Sequence, residues 1–348
     1  MKKIFRIMAS LLVVFTLAFA VSSCKKKENK EATYKLGMGV VVSTASSKTN
    51  APQVDATVSS VVLKDGKIVA CRIDAVQNKA TIADGVYTVK NLETKMELGD
   101  RYGMAPAKID NDGNGVTKEW YDQVKAFEAY VVGMTADEVK NMKTQEKNGH
   151  VISADQKLLD AGCSIQITDF IAATVKACND EQGQEFKTAK EFTLGVAATS
   201  HVDASSKNAT AEADGAINMY SDFAAIVVAE GKILACLNDA IQPKFAFTFE
   251  GELTPSFQDT KRCLKEKYGM APVKIDNDGN GVTKEWFEQS AAFSAYVVGM
   301  TADEVKNMKT QEKNGHVISA DKGLLDAGCS IQITDIKAVV AKAVANAR

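Results

Sequence analysis

The sequence predicts an α+β fold made of two copies of an antiparallel-sheet domain, each with helices packed on one side of its sheet. One observation behind this prediction is a long internal repeat, because residues 102–169 recur as residues 268–335 with few changes. Another is that each copy begins with strand-like segments and continues with helical ones, an order typical of α+β domains. The repeat is far longer than a solenoid unit, so it indicates two whole domains, residues 33–178 and 190–348.

Each copy opens with strands. Residues 35–43 are predicted to form a strand, and residues 54–76 a β-hairpin rich in β-branched side chains. The turn of this hairpin is predicted at Asp65-Gly66, because these residue types tolerate the positive φ angles of a tight turn. Glu230-Gly231 stands at the same place in the second copy.

Helical segments follow the strands. Residues 92–102 are predicted to be helical, and Thr117 is predicted to cap the next helix. That helix has one apolar face with helical spacing, formed by Trp120, Val124, Phe127 and Val131, and in the second copy by Trp286, Phe293 and Val297. Core packing is the expected role of the two tryptophans, and a platform for stacking a ligand is the alternative.

The last part of each copy contains shorter elements. Thr135 opens a capping box at the start of a short helix. Residues 165–167 are predicted to be a brief strand, and residues 170–177 the final helix. The polar segment 179–184 is predicted to link the two copies.

Composition excludes one class of partner. The chain has 348 residues, a formal net charge of −2 and 45% hydrophobic residues. This charge offers no electrostatic basis for nucleic-acid binding. The hydrophobic content is sufficient for a core in each copy.

The N-terminus has the features of an export signal. Lys2, Lys3 and Arg6 precede an apolar stretch, residues 7–21, that is too short for a comfortable membrane span. Small residues then lead to Cys24. This arrangement resembles the bacterial lipobox, which implies removal of residues 1–23 and attachment of fatty-acyl chains to Cys24.

The lipobox resemblance implies a location and a partner. The protein is expected to be exported and anchored to a bacterial membrane through its N-terminal lipid, with residues 24–32 as a polar tether. Lys25 stands where an inner-membrane retention signal usually has Asp, so an outer-membrane or cell-surface destination is compatible with the sequence.

Cysteines allow two interpretations. An exported protein can form disulfides, and Cys71–Cys163 and Cys236–Cys329 are the candidate pairs because they occupy equivalent places in the two copies. These cysteines lie in apolar runs, which favours buried free thiols.

A possible calcium loop occurs in both copies. Aspartate and asparagine alternate before a glycine, as in the first half of an EF-hand loop, where oxygen side chains surround the ion. The second half of the loop departs from the pattern, since the position of the bidentate Glu holds Tyr121 or Phe287. A simple turn is the alternative. The candidate ligands are Asp110, Asp112, Asn114, Asp276, Asp278 and Asn280.

A second motif concerns a cofactor. The residues Asp65-Gly-Lys-Ile68 and Ala161-Gly-Cys-Ser164 resemble two motifs of the FMN-binding domain family of respiratory flavoproteins and flavin-carrying lipoproteins. In that family a Ser-Gly-Ala-Thr motif carries FMN on the Thr as a phosphoester. The resemblance implies Ser164 and Ser330 as the acceptors, although this chain has Ala-Gly-Cys-Ser at that place.

A third resemblance implies little about the chemistry of the protein. Residues 115–123, with residues 102–104 and 131–135, are similar to a family of repeat-containing, poorly characterised lipoproteins of clostridia and spirochaetes.

Catalysis is not expected. His150 and His316 follow the same Lys-Asn-Gly tripeptide and are expected to be exposed, and His201 stands alone. The sequence shows no combination of nucleophile, base and orienting residue. It therefore predicts a non-catalytic, lipid-anchored protein with two ligand-binding or structural domains. The alternatives are an FMN-dependent electron carrier and a calcium-binding surface protein.

Overall fold

The computed structural model describes residues 31–115, 117–257, 259–273, 276–281 and 283–348. The predicted signal segment 1–23, the lipid-attachment residue Cys24 and most of the tether 24–32 lie outside the described residues. Within the ranges just given, no helix is long and apolar enough to cross a membrane.

The first half of the chain, from Ala32 to Cys178, contains a run of strands followed by helices and one small hairpin. A short 3₁₀ turn, Gly99–Tyr102, follows the first helix directly. The elements are β1 (Ala32–Ser43), β2 (Gln53–Lys64), β3 (Lys67–Ala83), β4 (Val86–Asn91), α1 (Lys95–Leu98), α2 (Trp120–Tyr130), α3 (Ala136–Lys140), β5 (Thr144–Lys147), β6 (His150–Ser153), α4 (Gln156–Asp160) and α5 (Thr168–Cys178).

The second half, residues 190–348, repeats this order after a connecting strand, β7 (Gln184–Thr188). Its 3₁₀ turn is Lys265–Tyr268. The elements are β8 (Thr193–Val202), β9 (Gly215–Ala229), β10 (Lys232–Ile241), β11 (Lys244–Phe247), β12 (Leu253–Ser256), α6 (Lys261–Leu264), α7 (Trp286–Tyr296), α8 (Ala302–Lys306), β13 (Thr310–Lys313), β14 (His316–Ser319), α9 (Lys322–Asp326) and α10 (Thr334–Ala345).

Each half builds an antiparallel sheet, so the predicted α+β class is confirmed. The first sheet has the order β4-β3-β2-β1-β7. The second has the order β12-β11-β9 at one end of the long strand β9, and β10-β9-β8 along the rest of it. The small hairpins β5–β6 and β13–β14 form separate two-stranded sheets.

The two large sheets pack face to face. One apolar cluster contains Leu36, Val58 and Val76 from the first sheet together with Phe223 and Leu237 from the second. The helices of each half cover the outer face of its own sheet, and each outer layer has an apolar cluster of its own. The molecule is therefore a four-layer arrangement in which the two halves share a central core.

The chain between the halves is part of the first sheet. Residues Gln184–Thr188 form β7, which pairs with β1, as in Tyr34 opposite Phe186. The predicted linker 179–184 therefore reaches only as far as the first residue of this strand. Tyr34, Phe186 and Phe192 form a small aromatic group at this edge, with ring centroids 5.1–5.7 Å apart.

Two glycines allow the last helix of each half to lie directly on its sheet. A Cβ atom added to Gly37 would lie 2.0 Å from the backbone oxygen of Ala177 in α5. The same atom on Gly195 would lie 2.0 Å from the backbone oxygen of Ala343 in α10. Because no side chain fits in that space, glycine is required for this close approach.

Several local predictions are confirmed. The hairpin turns lie at Asp65-Gly66 and Glu230-Gly231, and all four residues have positive φ angles of 51–75°. The apolar helix face is buried in both halves, from Trp120 to Val131 and from Trp286 to Val297. The capping box at Thr135 is present, and Thr301 forms the same box in the second half.

Other local predictions are wrong. The helix predicted from Thr117 begins at Trp120, with Glu119 as its N-cap residue. Residues 165–167 contain a bend and no strand. Of the helix predicted at residues 92–102, only Lys95–Leu98 is α-helical, because the turn that follows tightens to 3₁₀ geometry. The six described cysteines are free thiols, and all except Cys263 are buried, in agreement with the favoured interpretation.

Candidate functional site

A cavity of about 580 Å³ lies on the outer side of the second sheet. Its walls come from β8, β9, the start of α10, the 3₁₀ turn Lys265–Tyr268 and the loop around residue 277. Polar side chains from these separate elements converge on it, which is typical of a binding cavity.

Three potential ligand side chains meet at this cavity. His201 on β8, Asp222 on β9 and Asp335 in the first turn of α10 each place a donor atom within 4.8 Å of the other two. Strand pairing explains the first contact, because Asp222 lies opposite Thr199 and His201 lies opposite Tyr220, on the same face of the sheet. The imidazole of His201 also stacks on the Tyr220 ring, with centroids 5.2 Å apart.

Asp222 is an unusual carboxylate. It is only 8% exposed, and its Oδ2 atom has no hydrogen-bond partner among the described residues. Burial raises the pKa of Asp222 to about 7, against the nearby positive charge of Lys261 and with help from the negative charges of Asp335 and Asp239. A buried carboxylate without a full set of partners is costly, so this position favours a charged or hydrogen-bonding occupant.

On one side of the cavity, Lys261 lies among three aromatic rings. Its Nζ atom lies 5.1 Å from the ring centroids of Tyr220 and Tyr268 and 5.3 Å from that of Trp286. The side chain is buried, and its ammonium interacts with the π faces of these three rings. Trp286 therefore combines the expected core role with a position on the cavity wall.

The first half repeats the aromatic side but not the triad. Lys95 lies over the rings of Tyr102 and Trp120, at 5.0 and 5.4 Å. By strand register, Ser43 and Thr57 occupy the places that His201 and Asp222 hold in the second half. Asp169 corresponds to Asp335, and burial together with the charge of Asp55 raises its pKa, against the nearby charge of Lys95.

The predicted calcium loops have the geometry of a turn around one aspartate. Asp110 accepts hydrogen bonds from the backbone N–H groups of Gly113 and Gly115, both at 2.8 Å. Gly115 has a φ of 79°, which only glycine adopts freely. The side-chain amide of Asn114 donates to Asp112 at 2.8 Å.

The loop of the second half repeats these bonds. Asp276 accepts from the backbone of Gly279 at 2.8 Å and of Gly281 at 2.7 Å, and Asn280 donates to Asp278. The remaining oxygens, Asp112 Oδ1 and Asp278 Oδ1, have no hydrogen-bond partner among the described residues. Burial and the neighbouring aspartate raise the pKa of Asp112 and of Asp278.

Tyr121, at the twelfth position of the first loop, forms its hydrogen bond with a residue outside the loop. Tyr121 donates a hydrogen bond from its hydroxyl to Asp100, at 2.9 Å. Glu119 accepts from the backbone N–H groups of Met104 and Ala105, at 3.0 and 3.2 Å. Each loop therefore offers oxygen atoms from its first half and no carboxylate at its last position.

The predicted flavin acceptors are buried. Ser164 and Ser330 are each 4% exposed. In the first half, Gln123 accepts from the Ser164 backbone at 2.9 Å, and Asn111 donates to its carbonyl at 3.0 Å. A phosphoester on either hydroxyl would require this segment to move outward.

Asn111 and Asn277 connect the acidic loops to the two Ala-Gly-Cys-Ser segments, which are separate motifs in the sequence. Asn277, from the acidic loop of the second half, donates to the carbonyl of Ser330 at 2.9 Å. Asn277 also lines the cavity, as do Ile331 and Gln332, which follow Ser330. The acidic loop and the Ala-Gly-Cys-Ser segment therefore support one wall of the cavity, although Ser330 does not line it.

A second cavity, of about 490 Å³, lies between the halves. Arg72 and, from the second half, Arg348 line it, and the guanidinium of Arg348 donates to the Oε2 atom of the buried Glu128 at 2.7 Å. Arg72 lies 3.6 Å from the same oxygen and also donates to the backbone oxygen of Arg348. This network is a contact between the halves.

Two of the three histidines are exposed, and the third lies at the cavity. His150 and His316 are exposed on β6 and β14, as predicted. His201, which has no equivalent histidine in the first half, is placed by folding beside Asp222 and Asp335. The alternation of β8 and β9 contains the signal that would have found this cluster, since same-face residues on adjacent strands are neighbours.

No known protein family, no curated protein and no solved structure matches this chain.

Proposed function

We propose that this protein is a lipid-anchored extracytoplasmic lipoprotein of bacteria whose folded part is a non-catalytic binding module. Fatty-acyl chains on Cys24 hold the protein at the outside of a membrane, and residues 24–32 separate the anchor from the folded part. The ligand site is the cavity at His201, Asp222 and Lys261 in the second half.

One observation carries the binding proposal: the cavity combines the buried carboxylate of Asp222, whose Oδ2 atom has no hydrogen-bond partner among the described residues, with the aromatic faces of Trp286 and two tyrosines. Polar groups that converge beside aromatic faces can fix the orientation of a bound small molecule. A volume of about 580 Å³ suits a small molecule. Non-catalytic binding is favoured because His201 stacks on Tyr220 and is not hydrogen-bonded to a described hydroxyl or thiol.

The anchor is tested by Cys24→Ser. We expect the variant to keep its signal segment and to lose the fatty-acyl mass that the wild-type protein carries. Membrane fractionation and intact mass measure both. A variant that remains processed and membrane-bound would rule out lipid attachment at Cys24.

The cavity is tested by blocking its entrance. Val273 is 67% exposed and lines the cavity, so Val273→Trp adds bulk at the rim without disturbing the core. The matched control is Ala107→Trp, the equivalent exposed position in the first half. Native mass spectrometry of protein purified from its host should show a noncovalent small-molecule mass in the wild type and the control, and none in Val273→Trp.

Absence of that mass in the wild type, or its persistence in Val273→Trp, would contradict binding in this cavity. The same spectra test the FMN alternative, which is favoured by the position of Ser330 directly before cavity-lining Ile331. A flavin, covalent or not, would add its mass and its visible absorbance. Colourless protein without that mass excludes the electron-carrier function.

A calcium-binding function is the second candidate. It is favoured by Asp112 and Asp278, each of which keeps one oxygen without a described partner beside a second aspartate, in both halves. A cation would relieve the repulsion between these carboxylates. Calcium titration should then show two sites per chain and a higher melting temperature, and Asp112→Asn should leave one. An unchanged melting temperature in calcium and in EGTA would exclude it.

A further inference from the structure

We infer that His201, Asp222 and Asp335 bind one divalent transition-metal cation, such as zinc or manganese, in the second half of the molecule only. This inference rests on the proposed binding role of the same cavity and specifies its chemistry. The metal would form the floor of the site, and the remaining coordination positions would face the cavity, where the bound molecule supplies its own donor atoms.

The donor set comes from three separate elements. His201 on β8 contributes a ring nitrogen, and Asp222 on β9 and Asp335 on α10 contribute carboxylate oxygens. The donor atoms lie within 4.8 Å of one another. Donors bound to a tetrahedral metal at about 2.1 Å lie about 3.4 Å apart, so small side-chain rotations bring these three into position.

Asp222 supplies the independent reason to expect an occupant. Its side chain is more than nine-tenths buried, it lines the cavity, and its Oδ2 atom has no partner among the described residues. Buried carboxylate oxygens in proteins are paired, hydrogen-bonded or bound to a metal. Among the described residues, the cation that acts on it is Lys261, whose ammonium lies over three aromatic rings.

The charges favour a divalent ion. Asp222 and Asp335 bring two carboxyl groups into one corner of the cavity, and the ammonium of Lys261 is the nearby positive charge. A mixed nitrogen and oxygen donor set selects first-row transition metals and zinc over calcium, which prefers six to eight oxygens. Three protein ligands with an open position are also typical of sites where the metal contacts a bound molecule.

The first half provides a natural comparison. At the register positions of His201 and Asp222 it has Ser43 and Thr57, and only Asp169 corresponds to a ligand. Transition-metal binding should therefore have a stoichiometry of one per chain. The calcium loops occur in both halves and would bind two ions, so stoichiometry separates the two kinds of site.

The experiment uses the full chain in detergent after treatment with a chelator, in a Cys263→Ser background. This background removes the one exposed thiol among the described residues. Zn²⁺ and Mn²⁺ titrations by calorimetry give stoichiometry and affinity. Visible absorbance with Co²⁺ reports direct coordination.

The variants follow the comparison between the halves. His201→Ser and Asp222→Thr install the residues of the first half, and Asp222→Asn keeps the shape of the side chain. We expect each to weaken Zn²⁺ binding by at least ~100-fold, since each removes a ligand or its charge. Asp169→Asn, the matched change in the first half, should leave the affinity unchanged. Circular dichroism and melting curves show that each variant is folded.

A stoichiometry of zero or two, or unchanged affinity in folded His201→Ser, would overturn the inference. The proposed binding function fails separately. If Val273→Trp still removes a small-molecule mass while no metal binds, the cavity binds its ligand without a metal. If a metal binds and no such mass exists, the site is a metal site alone.

Discussion

The two halves of the molecule differ most in their long strands and least in the loops, short helices and small hairpins of their outer layers. The acidic loops, the capping boxes at Thr135 and Thr301 and the tryptophans are the same in both halves. The strands carry different residues, including Ser43 and Thr57 in the first half against His201 and Asp222 in the second. The two halves therefore share their local architecture, while among the described residues only the second half has the cluster at the cavity.

The corresponding helices α2 and α7 show how a difference in one half is compensated nearby. Glu128 on α2 accepts from the Ile73 backbone at 2.8 Å and pairs with Arg348 of the other half. The equivalent Ser294 on α7 accepts a hydrogen bond from Asn238 at 2.8 Å. Asn238 and Ile73 occupy equivalent strand positions, so the two changes fit together.

The C-terminal ends of the two halves dock on the opposite half in a similar way. After α5, Asp180 accepts from Arg262 of the second half at 3.1 Å, and Gln184 accepts from the Cys236 backbone at 2.8 Å. After α10, Arg348 reaches Glu128 of the first half. The first of these C-terminal segments contributes a carboxylate, Asp180, to its contact, whereas the second contributes a guanidinium, Arg348.

The largest expected effect tests whether the shared core makes the halves one folding unit. Gly37→Ala and Gly195→Ala each force a Cβ atom to within 2.0 Å of a helix carbonyl, and we expect each to lose about 3 kcal/mol of unfolding free energy. Urea denaturation measures this loss, and each variant should shift one common transition.

The control is Gly66→Ala, where the added Cβ has open space and only the φ of 74° is unfavourable. It should lose about 1 kcal/mol. Two separate transitions, with only one of them shifted by Gly37→Ala, would show that the halves unfold independently.

The next effect tests the contact between the halves. Glu128→Ser installs the residue of the second half and leaves Arg72 and Arg348 without their carboxylate. We expect a loss of roughly 2 kcal/mol, less than for a fully buried pair because Arg348 is partly exposed. Ser294→Ala, which removes one hydrogen bond from Asn238, should lose about 1 kcal/mol. Equal losses would mean that the Glu128 network contributes no more than the single bond.

A third effect is pH-dependent and concerns the carboxyl group of Asp74 in the first half. Burial raises the pKa of Asp74 to about 6, against hydrogen bonds from Thr94 and from the backbone of Ala75 and Met96. In the unfolded chain the ordinary pKa is about 3.9. The folded state therefore binds the proton more tightly, and the stability from Asp74 is complete below about pH 4 and lost as pH rises through about 6.

Asp74→Asn cannot ionise and keeps an oxygen acceptor for the same backbone groups. We expect its unfolding free energy to exceed that of the wild type by roughly 2 kcal/mol at pH 7, and to match it near pH 4. Chemical denaturation at several pH values measures the difference. Asp65→Asn, in an exposed turn, is the control and should follow the wild type. A difference that does not change with pH would argue against a buried ionisation at Asp74.

The smallest effect should be identical in the two halves. Thr135 and Thr301 begin helices of the same sequence with the same capping box. Thr135→Ala and Thr301→Ala should each lose about 1 kcal/mol, because each removes the side-chain acceptor for a helix N–H. Thermal melting measures both. A clear inequality would show that the outer layers differ in stability despite their equal sequence.

Much of the outer layer could be predicted from sequence. Trp120, Phe127 and Val131 share one helical face, and Asp65-Gly66 suits a tight turn. These features depend on residues a few positions apart, where spacing and φ preference decide the structure. The errors at Thr117 and residues 165–167 arose where tertiary contacts displaced a local preference, as when Glu119 turned to bind the backbone of Met104.

The sequence indicated that a strand is covered on both faces, but local patterns could not identify what covers each face. Val61, Val62 and Leu63 form an unbroken apolar run, which is typical of a strand covered on both faces. Val62 packs in the core between the sheets, whereas Val61 and Leu63 pack under the helices. Hydrophobic burial has no direction along the chain, so the run indicates that a second cover exists without indicating that the other half supplies it.

The sequence by itself determined the duplication, the turns, the helix caps and the amphipathic helix faces, because each depends on neighbours along the chain. Only the tertiary structure decided that the sheets share a core, that Gln184–Thr188 joins the first sheet, and that His201, Asp222 and Asp335 meet. These contacts join residues far apart in the chain, and they form because sheet register and layer packing bring separate elements to one place.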